Sequence, residues 1–170
     1  MIPMRKRLLG FGLAGAVLVA VSIWAAAIAP SRAGAPAHLD FTLKDTNGRD
    51  VRLADFKGKP LIVNFWATWC VPCQLETPEL VELADEYKDR GLTIVGISTD
   101  DTPEQITQFA AEFKIKYPLL VGRDRDDVVS AFGVGGIPVS VFVRPDGTIA
   151  AHLDGINTKE WFHEQIQALF

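Results

Sequence analysis

Leu61-Ile62-Val63-Asn64-Phe65-Trp66-Ala67-Thr68-Trp69-Cys70-Val71-Pro72-Cys73 decides how the rest of the chain is read. Its first half is an apolar run rich in branched and aromatic residues, the pattern of a buried strand, and the two cysteines stand where that strand gives way to a helix. At a helix N-terminus the first thiol faces unpaired backbone N–H groups and the positive end of the dipole, both of which stabilise a thiolate. Cys70 is therefore the expected nucleophile. One helical turn further on, Cys73 is placed to attack a mixed disulfide formed on Cys70 and to release the partner reduced.

The chain has no other cysteine, so the pair serves no disulfide framework. A zinc site would need two more ligands, and His38, His152 and His163 are scattered without ligand spacing. With 170 residues, 48% of them hydrophobic, one globular domain plus a short appendage is expected. All 21 acidic residues follow position 31, whereas three of the 17 basic ones precede it, leaving the remainder at 14 − 21 = −7. That balance gives no basic surface for nucleic acid.

Downstream, Pro78 lies inside the expected helix and Gly136-Ile137-Pro138 precedes another strand pattern. Together with Phe65-Trp66-Ala67-Thr68-Trp69-Cys70-Val71-Pro72-Cys73, these residues resemble thioredoxin-like proteins of the membrane-anchored TlpA/ResA type, the CcmG/DsbE-like branch, over roughly residues 38 to 170. The resemblance implies an α/β thioredoxin-like fold, a central mixed sheet flanked by helices, with an N-terminal hairpin and an extra αβ unit in the middle.

The remaining segments fit that outline. Arg5-Lys6-Arg7 precedes 22 uncharged residues, Leu8 to Ala29, which as a helix would span roughly 33 Å, the thickness of a bilayer core. The basic cluster is expected to stay in the cytoplasm, so that the rest is exported. Ser31-Arg32-Ala33 has small residues suited to signal cleavage, but the apolar stretch is longer than a typical signal core and favours an uncleaved anchor. Residues 1–29 thus read as anchor or signal, 30–37 as a Pro/Ala/Gly linker and 38–170 as the domain.

Phe41-Thr42-Leu43 and Val51-Arg52-Leu53 flank the turn signal Asn47-Gly48 and read as a hairpin, followed by a loop at Asp55 to Lys59. After the cysteines a helix with Leu80, Ala84 and Tyr87 on one face, interrupted by Pro78, is expected to stop at Gly91. Leu92 to Ile97 reads as the next buried strand. Thr102-Pro103-Glu104-Gln105 has the features of a capping box opening a helix with Ile106, Phe109, Ala110 and Phe113 inward. A strand near Tyr117 to Val121, a helix from Asp124 to Phe132, strands at Val139 to Val143 and Thr148 to Leu153, and a final helix after Asn157 with Phe162, Ile166 and Leu169 inward complete the domain.

Three further positions carry expectations about the site. From its position alone Pro138 is a proline opening a strand; the resemblance implies a cis peptide against the disulfide, with the Ile137 backbone turned to pair with an extended substrate. Val139 replaces the small polar residue usual after this proline. Glu76, in the first turn of the helix, reads by itself as a carboxylate favoured by the dipole. The resemblance implies that it tunes the thiols, a role strengthened by Asn64, an amide that cannot titrate at the place where thioredoxins keep a buried aspartate. Trp69 is expected at the rim of the site and Trp66 in the core or at the rim.

Neither Val71 nor Pro72 offers the positive charge that makes strong oxidants of this fold, so the dithiol is expected to donate electrons. The expected activity is that of a membrane-tethered, extracytoplasmic or periplasmic thiol:disulfide oxidoreductase, a protein-disulfide reductase. It would use no cofactor beyond the Cys70–Cys73 disulfide and would bind no metal. The resemblance implies client proteins such as apocytochrome c or copper-site proteins, an electron donor in the bacterial inner membrane, and attachment to that membrane through the N-terminal helix. The same thiols would also serve an oxidant that introduces disulfides or, as soft ligands, a copper chaperone. The peroxidatic Pro-x-x-x-Thr-x-x-Cys pattern is absent around Thr68 and Cys70.

Overall fold

Strand β3, Leu61–Trp66, is buried at all six positions, and such a strand must lie inside a sheet covered on both faces. In the computed structural model, which describes residues 33–170, β3 runs parallel to β4 (Thr93–Ser98) on one side and antiparallel to β6 (Val139–Val143) on the other. Strands β1 (Thr42–Asp45), β2 (Asp50–Arg52), β5 (Leu119–Val121) and β7 (Ile149–Asp154) complete a mixed sheet in the order β2-β1-β5-β4-β3-β6-β7. Helices α1 (Val71–Glu86) and α2 (Pro103–Phe113) make the parallel crossovers, α3 (Asp126–Phe132) precedes β6, and α4 (Lys159–Gln167) closes the chain. This is the thioredoxin-like architecture, with β1 and β2 as the hairpin and α2 with β5 as the extra unit.

Strand alternation sorts the core. Val63 and Phe65 point to the face covered by Val128 and Phe132 of α3, while Ile62 points to the face covered by Leu80 and Leu83 of α1 and Phe162 and Ile166 of α4. Asn64 shares the α1 face with Ile62, and on β6 the same alternation sends Ser140 and Phe142 there. Two polar side chains of neighbouring strands are thereby brought together under α1.

Several boundaries differ from the sequence expectation. Pro78 does not interrupt α1, which runs through it. An interior proline costs a helix roughly 3 kcal/mol, but burying Leu80 and Leu83 contributes about 1.5–3 kcal/mol each and outweighs it. The α-helix ends at Glu86, and a 3₁₀ turn at Lys88–Arg90 leads to Gly91, whose φ of 87° suits a residue without Cβ. Helix α3 starts at Asp126 rather than Asp124, because Asp124 has a left-handed backbone, φ 61°. Leu53–Phe56 forms a 3₁₀ turn that takes the last residue of the expected hairpin strand and the first two of the expected loop.

The expected anchor, Leu8 to Ala29, and residues 30–32 of the expected linker lie outside the described residues. Among the described residues, no helix is long and apolar enough to cross a membrane. The last linker residues lie along the edge of β7: Gly34 N–H donates to Ile149 C=O at 2.7 Å, and Ile149 N–H to Ala35 C=O at 2.8 Å. Ile149 is at the end of β7 remote from Asp154, which pairs with Val139 beside Phe65. The chain therefore enters the domain at the end of the sheet opposite the cysteines.

Candidate active site

Where β3 ends, Ala67-Thr68-Trp69 turn the chain into α1, and Cys70 N–H folds back to Ala67 C=O at 3.2 Å. Cys70 is the N-cap of α1, and its Sγ accepts the N–H of Cys73 at 3.2 Å. A capping oxygen usually has this place; here sulfur takes it, within the field of the helix terminus. Cys70 and Cys73 form a disulfide with Cα atoms 5.2 Å apart. Cys70 retains 3% of its surface and Cys73 1%, so both cysteines are buried in the disulfide form.

Around the disulfide, Trp69, Val71 and Leu75 are among the few large apolar side chains left exposed among the described residues, Trp69 at 63%. Trp66 is core, 3% exposed and packed on Phe109 of α2 with ring centroids 4.6 Å apart. On the other side of the disulfide the Ile137–Pro138 peptide is cis, as the resemblance implies, and the Ile137 carbonyl oxygen lies 3.8 Å from Cys70 Sγ. Between α1 and α2 a cavity of about 290 Å³ opens beside Thr68 and Gln74, lined by the amides of Gln105 and Gln108 and floored by Phe109 and Phe113.

Glu76 departs from the simple helix-dipole reading. Because Cys70 caps α1, Glu76 is the sixth helical residue, past the first turn where the dipole acts. It is instead buried, 3% exposed, where Asn64 Nδ2 donates to its Oε2 at 3.1 Å and to Ser140 Oγ at 3.0 Å. Burial pushes the Glu76 carboxyl up to about 7; the Asn64 hydrogen bond opposes this and the neighbouring Glu79 carboxylate reinforces it. Glu76 Oε1 and Glu79 Oε2 are both buried without a hydrogen-bond partner. Burial and the charge of Glu76 also push the Tyr117 phenol upward. A carboxyl that titrates near neutrality one turn from Cys73 can take and return a proton at working pH.

Sequence reasoning missed a second polar cluster. Thr68 N–H donates to Asp101 Oδ2 at 2.8 Å and Thr68 Oγ1 to Asp101 Oδ1, while Ser98 Oγ donates to Asp101 Oδ2. Gln74 Nε2 donates to Thr68 C=O at 2.7 Å, and the Trp69 indole N–H to Asp100 Oδ2 at 3.2 Å. The available signal was the Asp100-Asp101 pair just beyond β4: Ser98 aligns with Trp66 in parallel strands, so the residues two and three positions further on, Asp100 and Asp101, are brought alongside Thr68 and Trp69. Among the described residues, no three His, Cys, Asp or Glu side chains are grouped to hold a metal ion.

Residues 33–152 match the AhpC/TSA family. The thiol-disulfide oxidoreductase ResA of Bacillus thuringiensis subsp. konkukian is 32% identical over 130 residues, covering 76% of this chain and 75% of that protein. ResA of Geobacillus thermodenitrificans is 33% identical over 130 residues, covering 76% and 74%. Among solved structures, a thioredoxin-family thiol:disulfide interchange protein from Chlorobium tepidum superposes with a TM-score of 0.71 at 29% identity, covering 79% of this chain and 94% of its own. A secreted Mycobacterium tuberculosis disulfide oxidoreductase homologous to E. coli DsbE gives a TM-score of 0.70 at 26% identity, covering 77% and 97%.

Proposed function

Since the chain belongs to the AhpC/TSA thioredoxin-like family and is a thiol-disulfide oxidoreductase, we propose that it acts as a reductant of disulfides in exported proteins, with Cys70 attacking and Cys73 resolving. The observation that carries Cys70 as the attacking thiol is the Cys73 N–H aimed at its Sγ at 3.2 Å, which favours charge on the first sulfur. The reducing direction rests on Val71 and Pro72, which add no cationic side chain to stabilise the reduced form further. The Cys70 thiolate attacks one sulfur of the client disulfide, and the other client sulfur departs as a thiolate and takes up a proton. Cys73 gives its proton to Glu76, attacks Cys70 Sγ and expels the first client sulfur, which also takes up a proton. Two electrons have moved: the client holds two thiols and the Cys70–Cys73 disulfide has formed.

The client is an extended segment lying across Trp69 and the Ile137-Pro138 backbone, where apolar surface and a main-chain carbonyl border the disulfide. The organisation that goes with this role is an anchor at 1–29, a linker at 30–37 and a domain at 38–170, held outside the cytoplasmic membrane in the periplasm or on the outer cell face. The family resemblance supports apocytochrome c or copper-site proteins as clients and a transmembrane protein as the source of electrons. In an oxidising compartment such a source is required, because the disulfide must be reduced again after each turnover.

The reduction potential tests the direction. Equilibrated against glutathione or dithiothreitol buffers, the Cys70–Cys73 pair is expected near the roughly −270 mV of thioredoxin. A value near about −120 mV would reverse the assignment and make the protein an oxidant.

A further inference from the structure

The turn that presents Cys70 is held from behind by a charge. Every polar group of Thr68 is engaged: its N–H and its hydroxyl by Asp101, its carbonyl by Gln74. Asp101 is itself 2% exposed and accepts on both oxygens, the third donor being Ser98 Oγ; its own N–H returns to Ser98 Oγ at 3.3 Å. Buried acidic groups usually face a cation, but among the described residues no Lys, Arg or His forms a hydrogen bond or ion pair with Asp101. Neutral donors alone hold it in place.

We propose that Asp101 is a positioning residue of the redox site, fixing the Thr68 turn that carries Cys70 while its buried charge restrains the Cys70 thiol from ionising. The two parts rest on one geometry. Thr68 is two residues before Cys70 and the chain turns back between Ala67 and Cys70, so the carboxylate lies within about 10 Å of Cys70. At an effective dielectric near 20, one charge at that distance shifts a neighbour's titration by roughly one pH unit. Burial keeps salt from screening it. The remaining groups that face the site are Asp100 on the same loop, bonded to Trp69, Glu76 on α1 beneath Cys73, Glu112 on α2 at the edge of the cavity, and the Ile137 carbonyl from the β6 side. All are acidic or acceptors. The helix terminus and the Cys73 N–H are thus opposed by Asp101, and a less stabilised thiolate makes a less stable reduced form and a better electron donor. The proposal rests on Cys70 being the attacking thiol.

The test compares the full-length chain with Asp101→Asn and Asp100→Asn, following the Cys70 thiolate by its absorbance and by pH-dependent alkylation mapped by mass spectrometry. Asparagine keeps an acceptor for Thr68 N–H and removes the charge. For Asp101→Asn the Cys70 titration is expected to move down by roughly one pH unit. The potential is expected to rise by up to about 30 mV, the equivalent of a tenfold change in the equilibrium. Asp100 is exposed, so neutralising it should move the titration by less than half as much. A folded Asp101→Asn protein with an unchanged Cys70 titration overturns the proposal. Should that variant fail to fold, the unaltered chain decides: the Asp101 carboxyl carbon resonance must shift with the Cys70 titration in the reduced protein, and a resonance indifferent to it overturns the proposal equally. Preferential alkylation of Cys73 would instead overturn the functional reading, whatever Asp101 does.

Discussion

Asn64 and Glu76 meet at 3.1 Å between β3 and α1, the amide donating to one carboxyl oxygen while the other is buried with no partner. One hydrogen bond does not compensate for burying a charge, which is why the carboxyl is pushed from its ordinary 4.5 to about 7. A consequence for stability follows with a definite sign. Between pH 4.5 and about 7 the folded chain holds a proton that the unfolded chain has released, so stability falls as pH rises through that window. The full effect is on the order of 3 kcal/mol. Glu76→Gln keeps an oxygen for Asn64 and cannot ionise. In urea unfolding the variant should match the unaltered chain near pH 5 and exceed it by about 2–3 kcal/mol near pH 8. Parallel pH profiles for the two proteins would show that another group is responsible.

The order of attack is open to direct trapping. With Cys73→Ser, Cys70 can still form the mixed disulfide but nothing resolves it, so a disulfide-containing peptide should stay bound through Cys70. Cys70→Ser should form no adduct, since Cys73 lies inside α1 and only Cys70 holds the N-cap position where a thiolate is stabilised. Turnover should be abolished in both. Mass spectrometry of the adducts checks the assignment, and an adduct on Cys73 in the Cys70→Ser chain at a comparable rate would exchange the two roles.

These outcomes depend on contacts of unequal legibility in the sequence. The strand, the two thiols and the helix after them follow from local pattern, and Asn64 stands out because it is polar inside an apolar run. Its partner Ser140 does not: the two are 76 positions apart and meet only because β6 pairs with β3 in one register. The same holds for Thr68 and Asp101, 33 positions apart across parallel strands. Glu76 was legible as a position and misread in its environment, because burial beneath α1 depends on what the sheet places there. Pro78 shows local propensity yielding to packing: the chain accepts a missing helix hydrogen bond to keep Leu80 and Leu83 in the core.

Trp69 is large, apolar and 63% exposed beside the disulfide, with its indole N–H fixed on Asp100. Exposed tryptophans held in one orientation are typical anchors for partners, and truncating one commonly costs about 2 kcal/mol, or roughly 30-fold. Trp69→Ala should lower kcat/KM for a protein or peptide disulfide by about that factor, chiefly through KM. Reduction of the Cys70–Cys73 bond by dithiothreitol, which needs no docking surface, should change little. An equal loss with both would place Trp69 in the chemistry instead of in client binding.

Gly122 offers a test of how tightly the site depends on the sheet behind it. A Cβ there would stand 2.8 Å from the carbonyl oxygen of Ser98 and 2.6 Å from Ile97 Cγ2. Neither neighbour can retreat easily: the first is backbone of β4 and accepts the Gly122 N–H at 2.7 Å, and the second belongs to a fully buried side chain. Gly122→Ala should therefore cost about 1–3 kcal/mol through overpacking. In a domain of this size the melting temperature should drop by roughly 3–12 °C. Any displacement of Ser98 also moves an anchor of Asp101, so the Thr68 amide should exchange with solvent faster than in the unaltered chain. Thermal unfolding and hydrogen exchange read the two effects separately. A lowered melting temperature with unchanged Thr68 protection would show that the Asp101 clamp tolerates movement of β4, and an unchanged melting temperature would show that β5 can shift to admit the methyl group.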